Sequence, residues 1–121
     1  MEFDGRTPIY IQIMDLIKRR IAVGELKAGG QLPSVRDLAR QVVVNPNTVQ
    51  KAYLELEREG YVATQRGMGT FVSGDHGTVD LLRPGLARDI VKTCIAAMRS
   101  LGYGVHEIST MVAEEAEKET K

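Results

Sequence analysis

Four polar side chains crowd one short stretch of the chain: Asn47, Thr48, Gln50 and Lys51. The amides of Asn and Gln each donate and accept, so either can bond bidentately to the edge of an adenine. The Lys51 ammonium can reach guanine or a phosphate oxygen, and Thr48 a phosphate or a thymine methyl group. Such groups act together only if one surface carries them. Val49, Ala52, Tyr53 and Leu56 fall within about 100° of arc on a helix, which leaves Asn47, Gln50 and Lys51 on the opposite side. Asn45-Pro46 gives that helix its start, with a capping amide followed by a residue whose missing N–H costs nothing in the first turn. Gly60 gives its stop, and Glu55, Glu57 and Glu59 are confined to its last turns. A solvated helix face is built from the same residue types, and Leu54, also on the outward side, has no role in this reading.

Just upstream, Ser34 and Arg36 occupy the first turn of another predicted helix. Ser34 and Asp37 have the spacing of a capping box, and Val35, Leu38, Ala39 and Val42 mark the inward face. Exposed N–H groups and the positive dipole end suit a phosphate oxygen there, and Arg36 can add a charge-assisted bond. Ser34 can serve as cap and phosphate ligand at once. About three residues separate the two helices, the connection length of a helix-turn-helix. Val43 stands in that turn, where many such proteins place Gly; a positive φ at Val43 would be strained.

A third candidate is the stretch Arg66-Gly67-Met68-Gly69-Thr70. Its glycines let backbone approach backbone, and Arg66 can lie on phosphate or in a minor groove. Tyr61–Gln65 and Thr70–Ser73 flank it with strand-like alternation, predicting a β-hairpin with a four-residue tip.

These groups need a scaffold. Thr7-Pro8 predicts a helix start capped by Thr7, followed by Ile9, Ile13, Leu16, Ile17 and Ile21 on one face and closed near Gly24. Gln31-Leu32 allows at most a very short strand. Helix, helix-turn-helix and hairpin form a winged helix over residues 1–76. Residues 75–78 read as a linker. Beyond it Leu82, Leu86, Ile90, Cys94, Met98 and Leu101 recur every three to four residues as a helix ended by Gly102 and Gly104. A shorter helix begins with Val105, Ile108, Met111 and Val112 and is expected to fade into residues 114–121, frayed or exposed. The fold class is thus mainly α with a small β-hairpin: a winged helix-turn-helix, then a two-helix dimerisation region over residues 77–121. The long apolar stripe exceeds what a winged helix needs for its own core, so a second copy is the expected cover. Cys94 reads as packing within that stripe rather than as a nucleophile.

Composition bounds the rest. At 121 residues, 43% hydrophobic and 26% charged, the chain has the make-up of an ordinary globular protein. The polar, acidic start is unlike a secretory signal, no apolar run approaches the roughly 20 residues of a membrane helix, and one cysteine allows no internal disulfide. A cytoplasmic protein without a membrane partner is expected. Net charge is zero, with 10 basic and 9 acidic residues in 1–76 and 6 and 7 in 77–121. From Ser34 to Leu54, however, Arg36, Arg40 and Lys51 face Asp37 alone, and from Val62 to Gly74 there is Arg66 and no acid. His76 and His106 lack the spacing of a metal site or triad, so neither an enzyme nor a cofactor is expected.

The segments Pro8-Ile9-Tyr10-x-Gln12-Ile13, Leu32-Pro33-Ser34-x-Arg36-x-Leu38-Ala39, Val44 to Val49 with Ala52-Tyr53, Leu56-Glu57-x-Glu59-Gly60 and Arg66-Gly67-x-Gly69-Thr70-Phe71-Val72 occur in order over residues 8–73. Together they resemble the GntR family of bacterial repressors, and most of all its YtrA subfamily. The resemblance implies a homodimer on double-stranded, palindromic operator DNA, often beside transporter genes. It places DNA contacts at Ser34, Arg36, Asn45, Asn47, Thr48, Lys51, Arg66, Gly67, Gly69 and Thr70. About 45 residues after the winged helix cannot supply the large effector domain of most branches, whereas YtrA-like members use two short helices to dimerise. No residue singles out a small-molecule effector. The competing class is a winged helix used as a protein-interaction module, which would need an apolar or acidic face where Asn47, Gln50 and Lys51 stand.

Overall fold

A computed structural model describes residues 2–74 and 76–120. Helices α1 (Ile9–Ala22), α2 (Val35–Val42) and α3 (Pro46–Arg58) are followed by strands β1 (Val62–Gln65) and β2 (Gly69–Val72), then by α4 (His76–Asp80), α5 (Leu82–Ser100) and α6 (Val105–Glu119). The chain divides into two compact units, residues 1–84 and 85–121.

In the first unit the expected apolar faces meet. Ile13, Ile17 and Ile21 of α1, Leu38, Ala39 and Val42 of α2, and Val49, Ala52, Tyr53 and Leu56 of α3 form one buried cluster with Leu32, Val62 and Val72. Met14 joins them, whereas Ile9 is left out of the buried cluster at 41% exposed. The strands pair antiparallel, Val62 with Val72 and Gln65 with Gly69, so only Arg66, Gly67 and Met68 remain as the tip. Residues 29–32 run beside β2: Gly29 and Leu32 donate to the carbonyls of Val72 and Thr70, and Val72 donates to Gly30. The short strand allowed at Gln31 is present as one bridge to Phe71.

The start of α1 departs from expectation. Pro8 occupies the N-cap position and no side chain caps it. Thr7 is instead held by the preceding arm: its N–H donates to the Asp4 carboxylate, and its carbonyl accepts from Gln12 Nε2. The N–H groups of Thr7 and Arg6 hold the Asp4 carboxyl below its ordinary value.

Residues 76–80, of which 76–78 were expected as linker, form α4; Asp75 lies outside the described residues. This turn brings Val79 and Leu82 onto the core of the first unit, so that unit extends to Pro84. In the second unit α6, at 15 residues, is shorter than α5 as expected; its last residues are exposed but remain helical to Glu119. Glu107 accepts from the Gly104 N–H at its start, and Lys118 pairs with Glu115 near its end. Ala, Glu and Lys dominate residues 113–119 and favour helix without any apolar period. Ile108 is the one fully buried side chain among the described residues of this unit.

Candidate nucleic-acid interface

The exposed side of α3 carries the residues marked by their types. Asn47, Gln50 and Lys51 are exposed and Thr48 is half-buried, while Val49, Ala52, Tyr53 and Leu56 beneath them are fully buried. Asn45 does what its position dictates: its Oδ1 accepts the Asn47 N–H at 2.8 Å, closing the helix start. Its second lone pair and its amide N–H groups stay available. Leu54 is more than half exposed on the same side.

At the head of α2 the Ser34 hydroxyl accepts from the Asp37 N–H at 3.0 Å. The Oγ proton remains to donate outward. Arg36 is exposed and makes no ion pair among the described residues, whereas Arg40 is engaged by Asp37 at 3.1 Å. Arg36, Arg40, Ala39, Val44 and Pro46 line one shallow depression, which sets Arg36 beside the first turn of α3. Between the helices Val43 adopts φ 57° and ψ 59°, the left-handed conformation, as the C-cap of α2.

Arg66 and Gly67 are exposed at the wing tip, Gly69 is exposed where β2 begins, and Thr70 beside it is half-buried. Gly67 and Gly69 both have positive φ, which L side chains rarely adopt.

One short segment fixes these three parts relative to each other. The Gln31 side-chain amide donates to the Met68 carbonyl at 3.0 Å and so holds the wing tip. Two residues on, the Pro33 carbonyl accepts from the Tyr53 hydroxyl at 2.7 Å, which ties the segment to α3. Ser34 then opens α2. Burial pushes the Tyr53 phenol well above its ordinary value, keeping it a neutral donor at any physiological pH. Sequence reasoning assigned Tyr53 to the core but gave its hydroxyl no partner, and it gave Gln31 no part. A buried phenol always needs an acceptor, so a signal existed for Tyr53; none existed for Gln31. Also missed was Tyr10 of α1, whose ring centroid lies 4.1 Å from Lys51 Nζ.

The second-unit residues marked for dimerisation behave differently. Ile90, Cys94 and Leu101 are exposed, and Leu86 and Met98 are half-buried. Leu82 belongs to the core of the first unit and drops out of the stripe. Cys94, expected to be packed, is exposed in the single chain, with its thiol 3.9 Å from Met98 Sδ. Together with Met111, Val112 and Ala116 of α6 these two residues line an apolar groove.

A helix-turn-helix with a hairpin wing, a polar N-terminal face on its second helix and arginines at the flanking turns that no described carboxylate pairs with defines a DNA-binding module. Comparison with known proteins agrees. The chain belongs to the gntR family of bacterial regulatory proteins, whose model matches residues 9–72. It is 43% identical to the HTH-type transcriptional regulator YhcF of Bacillus subtilis strain 168 over 107 residues, 88% of each chain. It is 55% identical to the HTH-type transcriptional repressor YtrA of the same organism over 67 residues, 55% of this chain and 52% of that one. Among solved structures, a GntR family transcriptional regulator from Listeria monocytogenes superposes with a TM-score of 0.84 at 37% identity, covering 93% of this chain and 98% of the other. The DNA-binding domain of AraR, solved in complex with operator ORX1, superposes with a TM-score of 0.57 at 28% identity over 60% of this chain and 93% of its own. The protein is therefore a DNA-binding transcriptional regulator of the YtrA-like kind, in a family of regulators rather than enzymes.

Proposed function

We propose that the protein is a cytoplasmic repressor that binds an inverted-repeat operator as a homodimer. Asn47 and Gln50 read base edges in the major groove. Ser34, Arg36, Asn45, Thr48 and Lys51 hold the flanking phosphates, and Arg66, Gly67, Gly69 and Thr70 bring the wing against the adjacent backbone. The observation that carries the DNA reading is the polar face of α3 set on a fully buried opposite face, with Arg36 unpaired beside its first turn.

The stripe of exposed Ile90, Cys94 and Leu101 with half-buried Leu86 and Met98, and the groove it shares with α6, supports the homodimer. A contiguous apolar face left in water favours association, and twofold pairing is the commonest solution. Two recognition helices would then meet half-sites about one DNA turn apart or a multiple of it. The YtrA resemblance points to a transporter operon as the regulated unit.

Footprinting on the region upstream of the protein's own gene, with light scattering on the same sample, tests the whole reading. A protected inverted repeat and a dimer are expected. An unprotected fragment together with unretarded random DNA would favour a protein-interaction module instead.

A further inference from the structure

We propose that Tyr10 is a positioning residue of the DNA interface, holding the Lys51 ammonium where it meets a phosphate rather than a base. This rests on the reading of α3 as the groove-facing helix.

Lys51 stands one helical turn beyond Asn47 on the outward face of α3. Its side chain ends in a compact charge on a flexible four-carbon stem, and fixing it in one place is entropically costly. Among the described residues no carboxylate pairs with it; its charge meets the face of the Tyr10 ring at 4.1 Å instead. The distinction matters for function. A carboxylate would order the ammonium but cancel the charge that phosphate needs. An aromatic face orders it through the ring quadrupole and leaves the full positive charge. The ring covers one side of the ammonium, so its three donors are not all consumed.

The direction of the contact decides the target. Tyr10 is the second residue of α1, half-buried and packed against the core. An ammonium lying on it is drawn off α3 toward α1, the helix packed beside it. In a helix seated in the major groove, what lies to the side is the sugar-phosphate wall. The sequence left guanine and phosphate open for Lys51; the ring selects phosphate.

A phosphate contact is blind to sequence, so the test uses a mixed-sequence duplex of about three helical turns, read by fluorescence anisotropy across a salt series. The full-length chain is compared with Tyr10→Phe, Tyr10→Leu, Lys51→Met and the Tyr10→Leu/Lys51→Met double variant. Urea unfolding of each one checks the fold. Lys51→Met is expected to lower affinity and to cut the slope of log K against log salt by about one per bound protomer. Tyr10→Leu is expected to weaken binding about two- to five-fold per protomer, the range an exposed cation–π contact supports. Tyr10→Phe, which keeps the ring, should bind like the unaltered chain, and Tyr10→Leu should add no further loss once Lys51 is gone. An equal loss from Tyr10→Leu with and without Lys51 would overturn the proposal by making Tyr10 a packing residue only. Tighter binding by Tyr10→Leu would overturn it too, since the ring would then compete with DNA. An unchanged salt slope for Lys51→Met refutes the phosphate assignment. If Arg36→Ala weakens binding while Lys51→Met does not, the DNA reading stands and this inference falls; an unaltered chain that ignores the duplex defeats both.

Discussion

Val43 is where the backbone works against its own side chain. It caps α2 at φ 57° and ψ 59°, the sole non-glycine among the described residues with positive φ. For an L-residue this region costs about 1–2 kcal/mol, and a β-branched one falls at the upper end. The chain accepts the strain because the conformation ends α2 and sends Val44 and Asn45 into the start of α3 within three residues. The Val43 side chain returns almost nothing, being 86% exposed. Replacing it by Gly should remove about 2 kcal/mol of strain. Against this stand about 0.3 kcal/mol of lost burial and about 0.5–1 kcal/mol of extra chain entropy in the unfolded state. The net expectation is a gain of about 1 kcal/mol, or roughly 4 °C in Tm. Urea and thermal unfolding at one fixed protein concentration measure it, with Val43→Ala expected between the two because it loses the branching but keeps the left-handed penalty. Affinity for DNA should stay within experimental error. A lower urea midpoint for Val43→Gly at an unchanged m-value would refute the reasoning, because the side chain would then be stabilising the turn.

Three further outcomes test the interface and the pairing surface. Arg36→Ala should weaken binding to every sequence and reduce the salt slope by about one per protomer. Asn47→Ala should instead cost about 1–3 kcal/mol on the best operator and relax preference at one position; equal losses on random DNA would make Asn47 a backbone contact. Arg66→Glu should bind DNA far more weakly than Arg66→Ala with an unchanged Tm, since a loop tip buries little, and normal affinity of the Glu variant would remove the wing from the interface. Ile90→Asp and a truncation after Pro84 should both leave a folded first unit that is monomeric by light scattering and binds the operator weakly. A dimeric truncation would move the pairing surface into residues 1–84.

The parts of this architecture carried by local signals were legible from residue order alone. Apolar spacing placed the inward faces of α2 and α3 correctly, because each helix buries the face its own sequence defines. Asn45-Pro46 and Ser34-Asp37 announced two helix starts whose bonds are present. Thr7 misled because Asp4 and Gln12 had already engaged its backbone, and a cap inferred from one residue ignores such competition. Residues 114–119 are exposed, as their composition implies, but they stay helical: apolar periodicity ends near Val112, whereas helix propensity does not. The polar stretch 75–78 carries no apolar period and reads as a linker, yet residues 76–80 form α4, and Val79 and Leu82 join the core of the first unit. The Gln31–Met68 and Tyr10–Lys51 contacts join residues 37 and 41 positions apart. No local pattern encodes such pairs.

Zero net charge is compatible with a DNA-binding face because the carboxylates are spent elsewhere. Asp15 holds Arg19, Asp37 holds Arg40, Glu55 holds Arg58 at 2.6 Å, and Glu59 reaches Lys18. Glu57 accepts the Thr64 N–H at 2.7 Å, anchoring the wing to the last turn of α3. Among the described residues, what remains unpaired by carboxylates at the proposed interface is cationic: Arg36, Lys51 and Arg66. Distance completes the separation. Glu57 lies ten residues beyond Asn47, which is about 15 Å along a helix, whereas charges in physiological salt are screened over about 8 Å. A phosphate at the head of α3 therefore meets the arginine and lysine nearby and little of the acid behind them. Such a surface attracts DNA only at close range. It should gain less from long-range steering than a strongly basic domain would, and depend more on the fit of Asn47 and Gln50 to the right bases.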